Sequence, residues 1–134
     1  LVKGIADTGF LVAFANRRDR FHDWAVALAE QVSDPLLTCE AVMAEAAFHL
    51  RNTWLVLSMV NDGLIRPALS VTEQLSHLLE LAHRYRDREP DLADLCVIRL
   101  SELHPAYSVI TVDVHDFSVY RRNKRERIPL ISPL

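Results

Sequence analysis

The sequence predicts an α/β fold, a central and mainly parallel sheet flanked by helices. Three observations carry that expectation. Short stretches of strand length alternate with longer segments of helical periodicity, which is the pattern of βαβ units. The strand-like stretches are almost continuously apolar, as strands covered on both faces are. Acidic residues stand where such stretches run into helices, at the edge where open parallel sheets bind their ligands. The 134 residues are half hydrophobic and a quarter charged, and a chain of that size buries about two thirds of its unfolded surface on folding. One domain over residues 1–134 is expected.

The opening stretch, LVKGIADTGFLVAFAN, reads as a short buried strand entering a helix with Asp7 at the junction. Residues 17–23 are a polar turn, after which Trp24, Ala25, Leu28 and Val32 keep helical spacing until Asp34-Pro35 ends the segment. Residues 36–39 form the second strand. Residues 40–50 have a strong helix-forming composition, and residues 54–60 continue as a helix closed by Asn61-Asp62-Gly63. Residues 64–69 are a strand around Pro67, and a proline belongs on an edge. Ser70 or Thr72 is placed to cap the next helix, which ends in Arg84, Arg86 and Arg88, favourable to its dipole. Pro90-Asp91 restarts the chain into a helix over residues 92–103, apolar on most sides and therefore central. Residues 108–112 are the clearest strand. A short segment to Tyr120, a basic run and a closing strand over residues 128–131 complete the chain.

The net charge of −3 argues against nucleic-acid binding by bulk charge. Arg17, Arg18 and Arg20, and then Arg121, Arg122, Lys124, Arg125 and Arg127, are local exceptions; each group reads either as a solvated turn or as a rim that grips phosphate. No apolar run approaches the roughly 18 residues of a membrane span. No charged n-region with an apolar run and cleavage site is recognisable either, so the expected compartment is the cytoplasm. Cys39 and Cys96 stand alone in apolar settings and read as buried, reduced thiols rather than a zinc or disulfide framework.

Four acids fall where packing alone does not call for them. Asp7 and Asp113 end buried strands, Glu45 sits within an apolar helix, and Asp94 lies one turn into another, three residues after Asp91. In a parallel sheet both strand-end acids emerge at the same edge. Taken singly, each has an ordinary structural role open to it: helix cap, first-turn dipole partner or exposed face. Taken together they form a carboxylate cluster without basic partners, in which repulsion must be relieved by protonation or by a cation. Oxygen-only ligation suits Mg²⁺ or Mn²⁺, and such a site supports phosphodiester hydrolysis. Gly-rich phosphate loops, nucleophile elbows and CxxC pairs are absent from the sequence, and the six histidines are scattered.

The motifs also resemble a known family. IADTGFLVAFANRRDRFHDWA is similar to the opening of PIN domains, in particular the VapC-like toxin ribonucleases of toxin–antitoxin pairs. TCEAVMAEAAFHL resembles their second motif, with its acid on Glu45. DLADLCVIRLSEL resembles the third, with Asp94 the best match and Asp91 a frequent neighbour. ITVDVHDFSVYRR resembles the fourth, matching Asp113 to the acid and Thr111 to the preceding hydroxyl, and IPLI matches the closing strand. Leu95 departs from the pattern, since many relatives carry a small residue there.

The resemblance implies a three-layer PIN-like fold with a five-stranded sheet of order 3-2-1-4-5. It also implies Mg²⁺- or Mn²⁺-dependent RNA cleavage, homodimerisation and inhibition by an antitoxin protein. Asp7, Glu45, Asp94 and Asp113 are then the expected catalytic acids, with Asp7, Asp94 and Asp113 holding metal and Asp91, Thr111 and Asp116 in accessory positions. Arg121, Arg122 and Lys124 are expected at RNA phosphates. A non-catalytic PIN-like module that works by forming complexes is the alternative.

Overall fold

A computed structural model describes residues 2–134; Leu1, at the start of the opening stretch, lies outside the described residues. The elements run β1 (Gly4–Ala6), α1 (Thr8–Ala15), α2 (His22–Ala29), β2 (Leu36–Thr38), α3 (Glu40–Leu50), α4 (Thr53–Asn61), β3 (Ile65–Pro67) and α5 (Leu75–Arg84). A 3-10 turn (Arg86–Arg88) leads to α6 (Leu92–Leu103), β4 (Ser108–Ile110), α7 (Val114–Val119), β5 (Arg121–Arg122), β6 (Glu126–Arg127) and β7 (Leu130–Ile131).

Five strands make one sheet in the order β3-β2-β1-β4-β7, every neighbouring pair parallel. This is the expected order, with the closing strand as the fifth. β1 lies at the centre, where Ile5 registers with Leu37 on one side and Val109 on the other. Ile5, Leu36, Leu37, Val109 and Ile110 are all buried, which is why these short runs need no polar alternation. Gly4 stands where a Cβ would meet the side chains of Ile110 and Leu36, so its lack of a side chain lets the neighbouring strands close over β1. β3 takes the edge, and its Pro67 costs no ladder bond there.

α6 is the central helix. It packs against α3 and α5 and touches β1, β2 and β4, and Ala93, Leu95, Cys96, Val97, Ile98 and Leu100 are buried along it. Leu95, the departure from the family pattern, is thus accommodated within the core. The core forms one contiguous cluster, into which Phe10, Leu11, Phe117 and Tyr120 also pack.

Two segments differ from expectation. α5 begins at Leu75, because the Ser70 hydroxyl accepts the Glu73 N–H within a separate turn instead of capping the helix. Of its predicted last arginines, Arg84 ends the helix as expected, whereas Arg86 and Arg88 fall beyond it in the 3-10 turn. The basic run is not a loop but an antiparallel hairpin pairing Arg121 with Arg127 and Arg122 with Glu126. Asn123, Lys124 and Arg125 form its three-residue turn, the first two with left-handed backbone at φ 49° and 71°.

Candidate active site

β1 and β4 are parallel neighbours, so the chain leaves both at the same sheet edge, carrying Asp7 and Asp113 into the first residues of α1 and α7. α3 and α6 start at the same side and bring Glu45 and Asp94. A cleft of about 590 Å³ opens there, lined by Asp7, Glu45, Asp91, Asp94, Asp113 and Asp116. All four expected catalytic acids and both accessory acids therefore share one cavity.

Each carboxylate is held differently. Asp7 is only 7% exposed. It occupies the N-cap position of α1, yet its side chain makes no cap bond to the helix interior. Instead Oδ2 accepts the Thr111 hydroxyl at 2.8 Å. The same Thr111 oxygen accepts the Asp113 backbone N–H at 2.8 Å, so one buried threonine fixes both strand-end acids. Glu45 Oε1 accepts the Thr8 hydroxyl at 3.0 Å. Asp94 Oδ2 accepts the Tyr120 phenol at 3.1 Å. Asp91 and Asp113 do cap their helices, accepting the Asp94 and Asp116 N–H groups at 2.8 and 3.2 Å; capping and cleft lining coexist in these two. Asp116 is further paired with Arg88 at 3.1 Å.

The electrostatics follow from this crowding. Burial pushes the Asp94 carboxyl up to about 7, with repulsion from Asp91, Asp7 and Asp113 adding to it against the Tyr120 bond. Burial likewise raises Asp7 to about 6, although the Thr111 hydroxyl pulls it down. Glu45 is raised too, first by burial and also by Asp91. Tyr120 is held protonated, well above the usual phenol range, by burial and by Asp94.

The donor set is oxygen-only and mutually repelling, which suits a hard divalent cation. As the side chains lie, however, no group of three or more His, Cys, Asp or Glu residues among the described residues stands close enough to hold an ion. The expected convergence is a shared cleft rather than a closed cage. The physical reason is visible in the anchors: Thr8, Thr111, Tyr120 and the helix N–H groups draw the carboxylates to the walls, and their repulsion keeps them there.

The basic residues do not join the acids. Arg122 is 5% exposed, and its guanidinium donates to Ser101 and Pro105 carbonyls and to Glu126. Arg122, expected at phosphate, is instead buried with its guanidinium turned inward, where Nη1 and Nη2 tie the hairpin to the end of α6 and to Glu126 while Nε has no partner. Arg121 Nη1 caps the carbonyls of Ser118, Val119 and Tyr120. Lys124 is exposed and lies 3.9 Å from Glu80. None of the three lines the acid cleft.

Several cleft residues had escaped sequence reasoning. Asp19 and His49 line it, and so does Gly9, where a Cβ would strike Val112. His49 had a usable signal, since it follows Glu45 by four positions on the same helix face. Thr8 had one in the Asp-Thr pair, whereas Tyr120 had none. His22 and His115 do not line the cleft, and His22 Nδ1 bonds the Ala13 carbonyl at 2.8 Å. The two cysteines, solitary in sequence, are neighbours in space. Their thiols share a hydrogen bond that, with burial, holds Cys39 protonated.

The chain is thus an α/β protein with a parallel five-stranded sheet and an acid-lined cleft at its strand ends. A family model for the PIN domain matches residues 5–123, and the chain belongs to that family. PIN domains are typically metal-dependent nucleases. No curated protein matches the chain in sequence. Among the described residues no helix is long and apolar enough to cross a membrane.

Proposed function

We propose that this chain is an Mg²⁺- or Mn²⁺-dependent endoribonuclease, the toxin of a toxin–antitoxin pair, acting in the cytoplasm as a homodimer of single-domain subunits under the control of an antitoxin protein. The observation that carries the nuclease reading is the Thr111 hydroxyl shared by Asp7 and Asp113 within the acid cleft. A threonine spent on orienting two acids that packing does not require is a positioning device for ligands. The toxin, antitoxin and dimer rest on the resemblance of the motifs.

In this reading Asp7, Asp94 and Asp113 hold the divalent ion. An ion held by these three carboxylates would supply an acidified water and a counter-charge for the phosphate. The chain's own residues do the rest. Thr111 orients Asp7, and Tyr120 orients Asp94 through its phenol. Glu45, steadied by Thr8, aligns the attacking water and takes its proton, a task suited to a carboxylate whose affinity for protons is raised. Exposed Lys124, with Arg121 beside it, is placed in the reading at more distant RNA phosphates, a role that Arg122 does not share.

The test is cleavage of a labelled RNA pool by the purified protein with Mn²⁺, with EDTA, and with Asp94→Asn alongside. Discrete fragments that require both the metal and Asp94 are expected, with the variant retaining the wild-type circular dichroism spectrum and losing at least about a hundredfold in rate. Cleavage by folded Asp94→Asn at the wild-type rate would overturn the role given to Asp94. Failure of the wild-type chain to bind Mn²⁺ or cut RNA would leave the non-catalytic module.

A further inference from the structure

The acid cleft poses a problem for a polyanionic substrate, because seven carboxylates line it and a single basic side chain, His49, does so. His49 lies near the end of α3 and also lines a second cavity of about 540 Å³, together with Ala47, Phe48, Arg51 and Thr53. The two cavities therefore adjoin at His49. Phe48 is 78% exposed, an unusual position for a large ring. Its ring meets His49 edge to face, with centroids 5.7 Å apart. Arg51 is exposed and makes no ion pair among the described residues. It ends α3 in the left-handed conformation at φ 52°, where glycine is the unstrained choice. The backbone there is tied by the Arg51 N–H to the last turn of the helix, so the guanidinium springs from a fixed point beside the ring.

An exposed aromatic face flanked by a guanidinium and an imidazole is the chemistry of a single-stranded nucleotide site: the base stacks on the ring and the phosphate meets the two nitrogen donors. Resting on the nuclease reading above, we propose that Phe48, His49 and Arg51 form a subsite for the RNA nucleotide adjoining the scissile bond. The base stacks on Phe48, and the phosphate between cleft and subsite is held by His49 and Arg51. The subsite offsets the repulsion that the acid cleft imposes on the strand. It recognises any unpaired base, since every base has a face to stack, and it excludes duplex, whose bases are not free.

The experiment is fluorescence anisotropy of a labelled single-stranded oligoribonucleotide with the full chain in Ca²⁺, read beside sedimentation velocity. Phe48→Ala is expected to weaken binding at least about fivefold, the scale of one lost stacked base, while Phe48→Trp restores it. Arg51→Gly keeps the backbone that φ 52° favours and removes the cation, so weaker binding with a salt dependence shallower by about one phosphate contact is expected. All three side chains are exposed, which keeps the variants folded. Wild-type affinity in Phe48→Ala and Arg51→Gly overturns the subsite and leaves the nuclease reading standing. Loss of self-association in Phe48→Ala with RNA affinity unchanged overturns it as well and makes this face an interface between copies. No RNA binding by the wild-type chain overturns the nuclease reading and the subsite together.

Discussion

The Thr111 hydroxyl donates to Asp7 and accepts from the Asp113 backbone, so its removal has two effects. Thr111→Val is expected to destabilise the protein by about 1–3 kcal/mol in urea titration, the cost of unpairing buried polar groups. It should also move the acid limb of any cleavage–pH profile upward, because the bond that holds the Asp7 proton affinity down is gone. Asp7 itself weighs against stability. Its carboxyl titrates near 3.8 in the unfolded chain and near 6 in the folded one. Below about pH 4 both states are protonated and nothing is lost; as pH rises toward 6 the unfolded state sheds its proton first, and the folded state loses up to about 3 kcal/mol of stability. In EDTA, thermal melts of Asp7→Asn and wild type should coincide near pH 4 and diverge by pH 7, with the variant the more stable. Equal melting at both pH values would mean that Asp7 carries no such penalty. At this scale the sequence was legible wherever an acid lacked a packing reason, as with Asp7 and Glu45. It was not legible for Tyr120, whose phenol reaches Asp94 across 26 positions that no local pattern connects.

Helices and turns position these side chains, and α1 shows how closely. Gly9 is the second residue of α1 and lies against Val112, the residue before Asp113. Gly9→Ala should push Val112 and Asp113 out of register, lowering cleavage at least about tenfold while costing only about 1–2 kcal/mol in unfolding; wild-type activity would mean that Val112 yields without moving its neighbour. The hairpin β5–β6 depends on Arg122, whose inward guanidinium serves the end of α6 and Pro105. Arg122→Ala is expected to lose about 2–4 kcal/mol by urea midpoint through stranded carbonyls and lost packing. Most elements were readable in sequence because they are long and periodic, and α3 and α6 fall on residues 40–50 and 92–103 as expected. The hairpin was not, since a run of five cations carries no alternation, and only the fold supplies the Ser101 and Pro105 acceptors that draw Arg122 inward.

For the whole molecule the governing fact is that repelling carboxylates face one cleft in a chain of net charge −3. A divalent cation should therefore stabilise the protein as a ligand does, raising the melting temperature with concentration by about 8–13 °C at a hundredfold excess over the dissociation constant. Asp94→Asn should blunt that rise, and an equal rise in the variant would place the ion elsewhere. The parallel sheet was legible in the alternation of strands and helices, but its order was legible only through the resemblance of the motifs, and the width of the cleft was not legible at all, because anchors such as Thr8 and Tyr120 set it. The site joins residue 7 to residue 111, 104 positions apart, across the central strand of the sheet. While the chain is still being synthesised, Asp7 has emerged long before the hydroxyl that orients it and the strand that flanks it. The ribosome making this domain thus carries an unassembled cleft until Thr111 and Asp113 have emerged, and the nuclease activity proposed for the cleft begins no earlier than that.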